Sequence, residues 1–183
     1  MMNPAALEIY SFLMAQNLEF SRICHPAYHT RAQWKQALKK SRTQAVCPVS
    51  VVCQEKESGK TVLFLAAESP EAQVCSPPTG LLPAGAAETA ALCQRLRCLP
   101  HTLSPLALLF DAPPYCGILV QPELYREKLW CLSPCSEESS VLIPPGNTAP
   151  AVPSGGKTKI KNRLSPFARF FKRLCGDRRF LVL

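Results

Sequence analysis

The sequence predicts a small α+β domain, with α/β as the alternative, in which short strands in hairpins are packed by three or four helices. This prediction of fold class rests on two observations. Short Val- and Leu-rich runs are separated by turn residues, which is typical of strands. Other segments open with helix-capping signatures and continue with helical apolar spacing. We expect this body to span residues 1–133, followed by a linker at 134–156 and a tail at 157–183.

Three helices are expected in the body. Asn3-Pro4 matches an N-cap with proline at the first helical position, and the helix it opens, through Leu18, is apolar enough to be buried on most of its surface. Thr30 and Gln33 match a capping box, which predicts a helix to about Arg42. A third helix is expected from Ala86 to Leu99, because Pro100 follows it.

The firmest supersecondary prediction is a hairpin. Val46 to Gln54 reads as a strand, placed at a sheet edge because Pro48 cannot donate to a ladder. Thr61 to Ala67 is apolar throughout and is predicted to be a central strand. The turn between them contains Ser58-Gly59, and Ser69 to Ala84 is expected to be a loop.

The second half of the body predicts two more strands, Leu106 to Phe110 and Cys116 to Gln121. Pro122 then resembles a helix start, although Leu129 to Leu132 also suits a sheet. The linker is expected to be flexible because it is rich in Pro, Gly and Ser, while its apolar Val141 to Ile143 is suited to pack on the body.

The tail carries the whole net charge of the chain. Residues 1–156 contain 12 Lys and Arg and 12 Asp and Glu, so they are neutral. The tail holds nine cations against Asp177 alone, which accounts for the +8 of the chain. Ser165-Pro166 predicts a helix that ends near Gly176. A neutral body with a basic amphipathic tail indicates docking to something anionic.

The residues expected to bind an anionic surface or partner are the tail cations and phenylalanines. They are Lys157, Lys159, Lys161, Arg163, Phe167, Arg169, Phe170, Phe171, Lys172, Arg173, Arg178 and Arg179. Ser165 is a candidate phosphosite, because a phosphate there would lie at a helix N-terminus and reduce the charge of the tail.

The ten cysteines indicate a reducing compartment. They are scattered through apolar segments, where free Cys behaves as a small buried hydrophobe. Met1 to Leu18 is a poor signal peptide, since it has no basic start and Glu8 interrupts it. No apolar run reaches the length of a membrane span. We therefore expect a cytoplasmic or nuclear protein that is not secreted.

Chemistry-bearing motifs are weak. Cys24, His25 and His29 with Cys131 and Cys135 offer metal ligands, but their spacing differs from that of zinc motifs, so no metal and no cofactor are expected. Asp111 follows a strand, as a catalytic acid often does. Because it also begins a Pro-containing turn, the turn role is favoured. No catalytic residue is predicted.

The leading hypothesis is a non-enzymatic regulatory or adaptor protein that binds a protein partner, with its tail on an anionic membrane surface or an acidic protein. The alternative is a nuclear nucleic-acid-associated protein that uses the tail together with the basic helix from Arg31 to Arg42. A second alternative is a small cysteine-dependent enzyme.

Overall fold

A computed structural model describes residues 3–68, 76–111 and 116–144, and the backbone of 180–182. Three α-helices, α1 (Pro4–Ala15), α2 (Arg31–Lys40) and α3 (Ala86–Arg95), pack with two β-sheets. The predicted α+β class is confirmed. No helix in this part of the chain is both long enough and apolar enough to cross a membrane.

The larger sheet has five strands, in the order β4-β2-β3-β5-β8. They are β2 (Val49–Glu55), β3 (Thr61–Ala66), β4 (Leu81–Pro83), β5 (Gly117–Val120) and β8 (Phe180–Val182). β2 and β3 form the predicted antiparallel hairpin, and β3 is central as expected. β5 runs parallel to both β3 and β8, so the sheet is mixed.

The predicted edge position of the Val46–Gln54 strand is wrong. β4 pairs with the second half of β2, where Cys53 faces Pro83, and so takes the edge. β4 lies within the segment for which the sequence predicts a loop. Its proline occupies an outer strand, where a missing N–H is tolerated. Pro48 itself precedes β2 and takes no place in its ladder.

The smaller sheet is antiparallel, in the order β1-β7-β6, with β1 (Ser21–Cys24), β6 (Trp130–Leu132) and β7 (Ser139–Ile143). β7 lies inside the segment predicted to be a flexible linker, so the body extends past residue 133. Apolar Val141 and Ile143 are fully buried there, and both edges of β7 are paired. Pairing and burial together outweigh the turn-rich composition around this strand.

Two helix predictions are confirmed by their caps. The Asn3 side chain accepts a hydrogen bond from the backbone N–H of Ala5 at 2.9 Å. Thr30 and Gln33 form the reciprocal capping box at the start of α2. α1 is less buried than expected, because its Leu7 and Met14 are exposed.

The predicted strand from Leu106 to Phe110 is wrong, since Pro105–Phe110 forms a 3₁₀ helix. The Ser104 hydroxyl accepts from the backbone N–H of Leu106, and Pro105 fills the first helical position. This is the same N-cap and proline combination that begins α1. Two further 3₁₀ helices, Pro100–Thr102 and Pro122–Arg126, also begin with a proline at the first helical position.

The main core lies between α1, α3, the 3₁₀ helix Pro105–Phe110 and one face of the larger sheet. Its fully buried side chains include Ile9, Leu13, Leu63, Leu96 and Leu106. A smaller cluster of Tyr28, Trp34, Leu38 and Cys131 packs α2 against the smaller sheet. These two clusters fix the loops that carry the polar groups described next.

Candidate functional site

The predicted binding residues of the tail, Lys157 to Arg179, lie outside the described residues, as does Ser165. Of the tail, the structure describes only the backbone of β8 (Phe180–Val182), which pairs in parallel with β5. The tail therefore ends in a strand of the larger sheet.

The predicted Cys24, His25 and His29 motif is divided by the fold. The buried His25 ring lies between Ser140 Oγ, 2.8 Å from Nε2, and the carbonyl oxygen of Pro26, 3.0 Å from Nδ1. Cys24 is exposed. His29 instead points to Glu137, with Nδ1 at 2.9 Å from Oε1. His25 therefore has a structural role, and His29 belongs to a different group.

That group is a His–Glu–His cluster formed by His29, His101 and Glu137. His101 Nε2 lies 2.7 Å from the same Glu137 Oε1 that His29 contacts. The ligating atoms of the three side chains all lie within 4.8 Å of one another. Hydrogen bonds from His101, and then from His29, hold the pKa of the Glu137 carboxyl below its ordinary value. The carboxylate is thus ionised between two imidazoles.

Three separate segments place this cluster. His29 immediately precedes the capping box of α2, and its backbone N–H donates to Gln33 Oε1 at 2.8 Å. His101 is the middle residue of the 3₁₀ helix Pro100–Thr102. Glu137 lies just before β7, and its backbone carbonyl accepts from the Tyr28 N–H. Sequence analysis does not bring these residues together, because Glu137 falls within the predicted linker.

A pocket of about 150 Å³ opens on the His101 side of the cluster. Its polar lining comes from Arg31, His101, Ser104 and Ser133, and its apolar wall includes Trp34. The Arg31 guanidinium lies 5.7 Å from the Trp34 ring centre and donates to the carbonyls of Cys47 and Pro48. Arg31 Nε is buried and has no hydrogen-bond partner among the described residues. Arg31 thus gives the lining of the pocket a cationic side chain.

A cleft of about 500 Å³ lies on the Glu137 side. Its walls come from Asn3, the end of α3 and the turn before β7, and include Gln94, Arg97, Cys98 and Glu138. One residue of the His–Glu–His cluster therefore lines each concavity, His101 the pocket and Glu137 the cleft.

Five of the described cysteines form two contacting groups. Cys47 and Cys131 interact, which lowers the pKa of the Cys47 thiol and raises that of Cys131. Cys98 hydrogen-bonds both Cys93 and Cys135, which raises the pKa of Cys93; burial contributes to that shift as well. Cys131 and Cys135 thus contact different thiols. All eight described cysteines are free, and most are buried.

Asp111 makes structural contacts, while the turn predicted to follow it, residues 112–115, lies outside the described residues. One carboxylate oxygen accepts from the backbone N–H of Cys116 at 2.6 Å, and the other lies 3.0 Å from Arg95 Nη2. The side chain is nearly fully buried. It ties α3 to the start of β5 and faces neither the pocket nor the cleft.

No protein-family model matches this sequence, and no curated protein matches it. Solved structures do share the fold. One was crystallised as a candidate trans-editing enzyme for prolyl-tRNA synthetase; the TM-score is 0.58 at 14% identity, covering 100% of this chain and 97% of that one. A hypothetical protein matches with a TM-score of 0.56 at 14% identity, covering 96% and 97%.

A third similar structure comes from work on grafting linear epitopes onto scaffold proteins by computational design. Its TM-score is 0.53 at 15% identity, and the match covers 79% of this chain and 88% of that one. At these identities the likeness concerns the fold.

Proposed function

We propose that this protein binds tRNA and hydrolyses the ester that joins a wrongly attached amino acid to it. The observation that carries this proposal is the full-length likeness to a candidate trans-editing enzyme for prolyl-tRNA synthetase. In the reaction, water adds to the ester carbonyl and the bond to the ribose oxygen breaks, which releases the free amino acid and the uncharged tRNA. The proposal develops the nucleic-acid alternative drawn from the sequence.

The pocket beside α2 suits the aminoacyl group. Its volume of about 150 Å³ is below the roughly 300 Å³ at which pockets for drug-sized ligands begin, and is therefore suited to a small amino acid. Arg31 lines this pocket, and a guanidinium is suited to bind an ester carbonyl or a phosphate.

Basic residues outside the pocket suit the phosphate backbone. Lys39, Lys40 and Arg42 are exposed at the end of α2, the same helix that carries Arg31. Arg31 and Lys35 are partly neutralised, because both pair with Glu68. The nine cations of the tail supply the larger share of positive charge. Binding through such contacts weakens steeply as salt rises.

The experiment is a deacylation assay on the full chain. Proline tRNA charged with alanine, serine or cysteine is incubated with the protein, and the ester remaining is measured over time. We expect hydrolysis well above the buffer rate, and a fall of at least tenfold in Arg31→Gln. Lys56→Gln, an exposed cation in the β2–β3 turn and outside the pocket lining, should leave hydrolysis unchanged and serves as the control. Failure of the wild type both to bind tRNA and to hydrolyse the ester would refute the proposal.

The second candidate is the adaptor function, in which the tail docks on an anionic membrane or an acidic protein. The observation that favours it is the concentration of the entire net charge in residues 157–183, interleaved with apolar residues. The unpaired state of the eight described cysteines supports a cytoplasmic or nuclear location for either function.

Liposome sedimentation tests the adaptor function. Vesicles containing phosphatidylserine should bind the full chain more than neutral vesicles, and high salt should reduce binding. Replacing Phe167, Phe170 and Phe171 by Ser should weaken binding at low salt, because the apolar contribution is lost while the charge remains. Ser165→Asp should also weaken it, by reducing the charge. Unchanged vesicle binding by the triple variant would show that charge alone drives the binding.

A further inference from the structure

We infer that His29, His101 and Glu137 form a binding site for a zinc-type divalent cation. This inference is independent of the tRNA proposal, because none of its three ligands is needed for the argument about Arg31. Two histidines and one glutamate make up one of the ligand sets of catalytic zinc, with the remaining position open to water or a substrate atom.

The first argument is geometric. In a tetrahedral zinc site with ligand bonds of about 2.0–2.1 Å, neighbouring ligand atoms lie roughly 3.3 Å apart. Here Glu137 Oε1 lies 2.9 Å from His29 Nδ1 and 2.7 Å from His101 Nε2, and all three atoms lie within 4.8 Å of one another. The side chains need to open by about half an ångström at these two contacts, and the two ring nitrogens, within 4.8 Å of each other, need to approach by up to about 1.5 Å.

The second argument is electrostatic. Both rings direct a nitrogen to one carboxylate oxygen, so the three side chains already converge on one point. A cation at the centre would replace the protons that now mediate these contacts, so that the ring nitrogens and the carboxylate all become ligands. Borderline metals such as zinc accept this mixture of imidazole and carboxylate, whereas calcium and magnesium prefer oxygen alone.

The third argument is positioning. The His101 ring packs edge-on to Tyr28 at 5.7 Å, and Tyr28 is fully buried. The loop before β7 is held to the loop after β1 by backbone hydrogen bonds from His25 and Tyr28 to Glu138 and Glu137. His101 is therefore held in place through its ring, and Glu137 through its backbone. His29 is the exposed ligand, with 73% of its side chain accessible, so it closes the site from the solvent side.

The pocket and the cleft both border the proposed metal site. Glu137 lines the larger cleft and His101 lines the smaller pocket, so each concavity borders one of the metal-binding side chains and can hold a ligand for the open position. The chemical class of such a ligand is one with a carbonyl, carboxylate or phosphate oxygen, which a zinc ion polarises as a Lewis acid.

The test is zinc titration of the full chain, after chelator treatment and under a thiol reductant, by calorimetry. We expect one equivalent, with affinity reduced at least roughly tenfold in Glu137→Gln and in His29→Gln. Glu138→Gln removes the adjacent carboxylate and should leave the affinity within about twofold. His29→Gln is expected to fold normally because His29 is exposed.

Cobalt substitution separates this site from the thiols. Cobalt bound by His29, His101 and Glu137 should show visible d–d bands without a thiolate charge-transfer band in the near ultraviolet. An intense thiolate band that disappears in Cys24→Ser would assign the metal to cysteine and overturn the inference. Equal affinities of Glu137→Gln and Glu138→Gln, or no binding by the wild type, would also overturn it.

Discussion

The indole N–H of Trp34 donates to the Ser140 hydroxyl at 2.8 Å, and this bond joins α2 to the central strand of the smaller sheet. Ser140 is fully buried and is also 2.8 Å from the His25 ring. The Ser140 hydroxyl therefore contacts two buried groups, the His25 ring after β1 and the Trp34 indole on α2. The bond spans 106 positions in the sequence, so local sequence patterns do not reveal it.

Ser140→Ala should destabilise the protein by about 1–3 kcal/mol, because it leaves the Trp34 N–H and the His25 ring without a buried partner. Urea unfolding followed by tryptophan fluorescence measures the effect. Ser41→Ala, at the exposed end of α2, should change stability by less than about 0.5 kcal/mol. Equal effects of the two substitutions would show that the Ser140 network contributes little.

Truncation should show that the body requires β7 but folds without β8, the outer strand of the larger sheet. A fragment of residues 1–144 retains the strand between β1 and β6, whereas a fragment of residues 1–133 loses it. We expect the longer fragment to melt cooperatively and the shorter one to lose cooperativity. A cut at residue 140 falls inside β7. Identical melting of the two fragments would contradict the role of β7.

Glu68→Gln should lower stability at neutral pH and have no effect in acid. Partial desolvation raises the pKa of Glu68, but hydrogen bonds and charges from Lys35 and Arg31 outweigh it, and the net pKa is lowered. A lowered pKa stabilises the fold above the unfolded value, and this contribution is lost as pH falls through the folded value. Because the pair is partly exposed, we expect roughly 0.5–1 kcal/mol.

Stability curves of wild type and Glu68→Gln, measured by urea unfolding between neutral pH and about pH 3, check this. The two curves should converge at the acidic end. A difference that persists there would show that the substituted amide disturbs packing, and that the loss of charge is not the cause.

Cys47 should ionise more readily than an ordinary thiol. Its hydrogen bond with Cys131, followed by the charges of Arg31 and Lys35, lowers its pKa although burial opposes this. The pH midpoint of iodoacetamide labelling, measured on the Cys47 peptide by mass spectrometry, should be lower than in the unfolded chain. Cys131→Ala should raise the midpoint, and Cys24→Ser should not. An unchanged midpoint in Cys131→Ala would contradict the thiol pairing.

Some elements can be predicted from the sequence because the contacts that stabilise them lie between residues close together in the chain. Asn3 caps α1 through Ala5, and Thr30 caps α2 through Gln33, so a few adjacent residues determine where each helix begins. The hairpin of β2 and β3 follows from two apolar runs around a turn with Gly59 at φ +66°. The α+β class is predictable on the same grounds.

The remaining features depend on contacts between distant segments. β7 is a strand because β1 and β6 pair with its two edges, and β8 is a strand because β5 pairs with it. The 3₁₀ helix after Ser104 resembles a strand in sequence because an apolar run does not distinguish the two. His29 and Glu137 are 108 positions apart, so only the packing of α2 and the two loops on the smaller sheet brings the cluster together.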